Sequence, residues 1–148
     1  MTELQERLGT GEMRQKVIDD ACRVLDEEVA DKSGLGGLAV KAAYSIVKGI
    51  KPGFIREAVD RLLDEFLNIM DTFVSEARAK NIKSGEYILN DRARMANALL
   101  GVTDRRAEKA DNAVVRKGYD KLRPSAQKHV EAAAPRVARL LDKYTDPV

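Results

Sequence analysis

The sequence predicts an all-α fold, a single bundle-like domain of five or six helices over residues 1–148. Three observations lead there. Hydrophobic residues make up 44% of the chain and charged residues 34%, a balance that excludes both a disordered chain and a membrane-spanning one. Ala and Leu, strong helix formers, occur 19 and 14 times. Apolar residues recur at spacings of three and four almost everywhere, and no alternating run is long enough to specify a strand. A chain of this length can bury roughly two-thirds of its unfolded surface, so its core needs no covalent staple.

Residues 1–9 carry no apolar run and are expected to be disordered or loosely attached. The first helix begins near Thr10–Glu12 and runs to about Ala30. Met13, Val17, Ile18, Ala21, Cys22, Val24 and Leu25 share one side of it, and Asp19, Asp20, Asp26 and Glu27 the other. Lys32, Ser33 and Gly34 end it. The second helix, Leu38 to about Ile50, is apolar over about 200° of its wheel, with Tyr44, Lys41, Lys48 and Lys51 in the remaining strip. So wide a face predicts a helix covered on several sides, at or near the centre of the bundle.

Lys51-Pro52-Gly53 breaks the chain: Pro52 disfavours a helical residue before it and Gly53 permits a turn. The third helix runs from Phe54 to about Lys80 on Phe54, Ala58, Leu62, Phe66, Ile69 or Met70, and Phe73, widened by Leu63, Leu67 and Val74. After a loop at Asn81–Gly85, a fourth helix spans about Glu86 to Leu100 and is expected to stop at Gly101. Thr103 or Asp104 would cap a fifth, Arg105 to Leu122, and Pro124-Ser125 would open the last. Pro135 should kink or split that last helix.

The net charge is +2, too balanced to indicate nucleic-acid binding by itself, but residues 1–77 carry −5 and residues 78–148 carry +7. The basic residues are scattered, which favours packing of the two halves on each other over a tail for an anionic partner. Cys22 is alone and fits a reducing compartment, and the start of the chain resembles neither a signal nor a transit peptide, so a cytoplasmic location is expected.

Residues able to carry chemistry are scarce. His129 is the one histidine, and Glu131, two positions on, points elsewhere around a helix, so no acid orients it as a base. Cys22 lies on an apolar face, where thiols are inert. Glu57, Asp60 and Asp64 share a helix face, but Arg56 and Arg61 lie within reach to neutralise them. No Glu-x-x-His pair, calcium loop or phosphate-binding glycine motif occurs, so no metal and no cofactor are expected. The stretch from Ala93 to Ala110 imitates a helix-turn-helix, but Asp104, Glu108 and Asp111 on its second helix would repel phosphates. The Lys-flanked Leu38–Ile50 helix has the outline of an interfacial helix, although snorkelling lysines on a packed helix give the same wheel.

GLGGLAVKAAYSIVKGIKPGF (Gly34–Phe54) and LRPSAQKHVEAAAPRVA (Leu122–Ala138) resemble stretches of small all-helical bacterial proteins of unassigned function. The resemblance implies a stand-alone bacterial cytoplasmic protein. It implies no activity and supplies no functional residue. The expected function is a non-enzymatic interaction or scaffold module that self-associates, through a surface around the Pro52 break made of Lys41, Tyr44, Lys48, Lys51 and Phe54. The expected partner is another protein or a second copy, ahead of a membrane surface and of nucleic acid. The alternatives are a module for anionic surfaces that uses the basic C-terminal half, and a carrier of a small apolar ligand.

Overall fold

Eight helices follow one another through residues 1–145, the part of the chain that the computed structural model describes: α1 (Glu3–Leu8), α2 (Gly11–Asp31), α3 (Gly34–Lys48), α4 (Phe54–Ala79), α5 (Ser84–Leu89), α6 (Arg92–Glu108), α7 (Ala113–Ala132) and α8 (Ala134–Thr145). No strand occurs among the described residues, so the all-α expectation holds, with more and shorter helices than the five or six expected.

Helix α4 is the centre. It packs against α1, α2, α3, α5 and α6, and buries Val59, Leu63, Leu67, Met70, Phe73, Val74 and Ala77 at spacings of three and four. Fully burying a large apolar side chain contributes about 1.5–3 kcal/mol, so this one stripe outweighs any cap or ion pair on the surface. The expected seam of Phe54, Ala58, Leu62 and Phe66 is only half-buried, one step around the helix from the buried one. At its far end Asn81 takes the left-handed conformation (φ 59°), and the Ile82 N–H reaches back to the Ala77 carbonyl at 3.0 Å, closing the helix.

The first nine residues are a correction. Residues 3–8 are helical, and Leu4 and Leu8, one turn apart, are 1% and 5% exposed. Thr2 and Gln5 form a reciprocal capping box. Asp71 of α4 accepts the Leu4 N–H at 3.1 Å, and Gln5 donates to the Asp64 carbonyl at 2.8 Å. Two apolar residues in a short polar segment give no visible period, but one turn of helix suffices to seat both.

A second correction concerns the Leu38–Ile50 helix. It is peripheral. Gly37 is the one buried residue of α3, while Leu35, Leu38 and Ile46 are 88%, 64% and 59% exposed. α3 lies against α7, α2 and α4 on one side only.

The second half of the chain departs in register. Gly101 does not stop a helix; α6 runs through it to Glu108 because Val102, fully buried, continues the apolar period beyond the glycine. Thr103 and Asp104 therefore sit inside α6 and cap nothing. Pro124 falls inside α7, not at a helix start. Interior proline costs roughly 3 kcal/mol, and α7 is held along α6 on both sides of it: Tyr119 and Arg123 bond Asp104, and Gln127 donates to the Ala93 carbonyl. Pro135 does split the last segment, standing in the first turn of α8.

α8 closes the bundle against α5 and α2. Asp142 accepts the Gly85 N–H at 2.7 Å, so a carboxylate from α8 caps the first turn of α5. A Cβ at Gly85 would stand 2.8 Å from the Ala138 carbonyl oxygen, so the two helices approach this closely only with glycine there.

Candidate functional site

The five residues expected to form an interaction surface differ in their surroundings. Lys41 is exposed and has no partner among the described residues. Tyr44 is half-buried and its hydroxyl donates to the Asp26 carboxylate of α2 at 2.5 Å, while the Lys48 ammonium lies 5.6 Å from the centre of its ring. Burial and the Asp26 charge raise the Tyr44 pKa well above that of a free phenol. Tyr44 is therefore an anchor of α3 on α2. Lys51 pairs with Glu57 at 2.8 Å, and Phe54 is half-buried at the start of α4.

The free surface of α3 is its other side. Leu35, Leu38, Ala39, Ala42 and Ile46 are all exposed and lie within about 100° of one another around the helix. Val40, Ala43 and Val47 face the bundle, half-buried. The apolar arc read from the sequence is thus two faces, one packed and one bare. No acidic residue occurs between Gly34 and Gly53, and Lys41 and Lys48 border the bare face on one flank. Of the large apolar side chains in the described residues, Leu35 is the most exposed, and Leu38 and Ile46 follow Met1. Clustered apolar exposure of this kind marks binding surfaces.

Elsewhere many of the surface charges are paired. The basic second half of the chain engages the acidic first half: Arg94 with Glu76, Arg105 and Arg106 with Glu65, Arg136 with Glu28 and Asp31, and Lys143 with Asp20. Arg94 and the Tyr87 hydroxyl both donate to Glu76, holding its carboxyl down at about 2. Asp20 is the buried member, 5% exposed, and accepts from Arg23 at 2.7 Å, Lys143 at 2.7 Å and the Tyr144 hydroxyl at 2.5 Å. Burial opposes its ionisation, and the three donors together outweigh burial, leaving its pKa below the usual carboxylate range.

The residues considered for chemistry are occupied or separate. His129 is half-buried, and burial with nearby Lys32 and Lys128 holds its pKa below the ordinary value. Glu131 bonds Gln127, so His129 gains no orienting acid from it. The Cys22 thiol is half-buried and burial raises its pKa. Arg14 holds Asp60 and Asp64, and Lys51 and Arg61 hold Glu57; the sequence named Arg61 correctly, but Arg56 goes to Asp19. Among the described residues no group of three or more His, Cys, Asp or Glu is placed to hold a metal ion, and no helix is long and apolar enough to cross a membrane. The helix-turn-helix mimic is a single helix, α6, without the turn.

One open cleft of about 450 Å³ lies between the start of α4, the end of α6 and the start of α7, with Phe54, Leu62 and Tyr119 among its walls. Sequence reasoning missed it, because the whole Phe54-Ala58-Leu62 seam was assigned to the core stripe of the helix.

These features define a class: a small all-helical protein with ion pairs joining its two halves, one bare apolar helix face and one apolar cleft. Within that class the chain belongs to a family of unknown function (DUF6918), which matches residues 4–145. No curated protein matches it, and no solved structure does.

Proposed function

We propose that this protein is a non-enzymatic interaction module that self-associates through the bare face of α3. The observation that supports this reading is the continuous exposure of Leu35, Leu38, Ala39, Ala42 and Ile46 on one face of α3. The reading keeps the expected location, around α3, and replaces the expected residues. It fits a cytoplasmic protein, where a lone Cys22 stays a thiol. An anionic surface met through the basic second half is less well supported, because six of that half's cations are taken by the first half.

Leu35, Leu38 and Ile46 together offer about two full side chains of apolar surface per copy. Two copies then gain about 6–12 kcal/mol, against an association cost of about 4–15 kcal/mol. Association is therefore weak and concentration-dependent. Sedimentation equilibrium from roughly micromolar to millimolar protein should show a monomer–dimer equilibrium that Leu38→Lys and Ile46→Lys each abolish. A monomer throughout that range removes the reading, as does a dimer indifferent to both substitutions.

A further inference from the structure

The cleft between α4, α6 and α7 is independent of the α3 face and has a different chemistry. Its floor is apolar: Phe54, Ala58 and Leu62 follow one another every four residues along α4, with Ala107, Ala110 and Val115 opposite. Those six side chains are half-buried with nothing packed into the space between them. Opposite α4 the gap is bounded by two small residues, Ala107 on α6 and Ala110 just beyond its end, where larger side chains would close it. Its volume of about 450 Å³ falls in the range of small-molecule sites, about 300–1,000 Å³.

Charge at the rim is unequal. Arg61, Arg106 and Lys109 stand there against Glu57 and Asp111. Glu57 is already held twice, by Lys51 at 2.8 Å and Arg61 at 2.6 Å. Arg106 leans on Glu65 at 3.1 Å. Lys109, at the end of α6, and Asp111, two residues on, have no ion-pair partner among the described residues; the surplus of positive charge arises because Glu57 is shared by Lys51 and Arg61, and Glu65 by Arg105 and Arg106. The hydroxyl of Tyr119 is engaged by Thr103 and Asp104, so its ring, and not a free polar group, faces a ligand. An apolar trough with spare positive charge at its edge matches a molecule with an apolar chain and one anionic end.

We infer that the cleft binds a medium-chain aliphatic carboxylate, its chain laid along Phe54, Ala58 and Leu62 and its carboxylate at Lys109 and Arg106. Calorimetric titration of the full chain with decanoate, below micelle formation, tests this beside the neutral methyl decanoate. Decanoate should bind saturably and about tenfold more tightly than the ester. Lys109→Gln, an exposed substitution that leaves the fold intact, should remove that preference and leave ester binding unchanged. Ala107→Phe, which fills the trough, should abolish binding of both, while Leu38→Lys on α3 should change neither. Three results would overturn the proposal: no saturable binding of decanoate, equal binding of acid and ester, or binding that survives Ala107→Phe with an intact circular-dichroism spectrum.

Discussion

Replacing Asp20 by Ala tests the joint between α2 and α8. The Asp20 carboxylate is 5% exposed and takes three donors, two of them from α8. Tyr144 is half-buried, so its hydroxyl loses a charged acceptor that is worth about 1.5–3 kcal/mol. Arg23 and Lys143 are 60% and 56% exposed, and solvent screening limits each of those pairs to about 0.5 kcal/mol. The substitution should cost about 2.5–4 kcal/mol, a large share of the roughly 5–15 kcal/mol that holds a domain together. Urea denaturation followed by circular dichroism reads the loss, and amide exchange should quicken first in α8. The pH dependence carries a sign. Because the folded pKa lies below the unfolded value of about 3.9, the contribution is complete above about pH 5 and disappears as pH falls through the folded value. The variant's stability should therefore converge on the wild type's in acid. A cost under about 0.5 kcal/mol at pH 7, or a gap between the two proteins that stays constant down to low pH, would refute the account of a buried carboxylate tying two helices.

Further outcomes follow from close approaches and open space. Gly85→Ala should destabilise by about 1–3 kcal/mol, read by thermal unfolding, since the new methyl meets the Ala138 carbonyl and the Asp142 carboxylate that caps α5. Gly118→Ala should stabilise by about 0.5–1 kcal/mol, because Gly118 lies inside α7 with no atom within 4 Å of the added carbon. Glu76 should titrate near 2 in a carbon-detected NMR experiment, and its contribution should persist to lower pH than that of an ordinary glutamate, failing only as pH drops through about 2; Arg94→Gln should return its pKa towards the usual range.

The fold class and the core of α4 are legible in the sequence because long amphipathic periods report burial directly: Leu63, Leu67, Phe73 and Val74 are where the spacing puts them. Punctuation is less legible. Gly101 and Pro124 carry the local signals of a stop and a start, and both lie within helices because neighbours override them: buried Val102 in one case, the Asp104 clamp on Tyr119 and Arg123 in the other. The burial of α3 shows a third kind of error. A helix apolar nearly all round has the same wheel whether it is enclosed or half bare, so composition pointed to α3 while the exposed side remained ambiguous. Phe54 had the converse fate, assigned to a surface and found on a wall of the cleft. No sequence period encodes a void, since a void is set by how far two helices stand apart.

The position of α8 bears on the order of events during synthesis. It is the last helix of residues 1–145, yet it covers α2 and α5, laid down more than 40 residues earlier. While the ribosome is still extending α7, the inner flanks of α2 and α5 have no cover, and the Asp20 carboxylate lacks Lys143 and Tyr144. The nascent chain must pass through a stage with open apolar flanks that the finished protein never displays. That interval, more than the mature surface, is when chaperones would find something to hold.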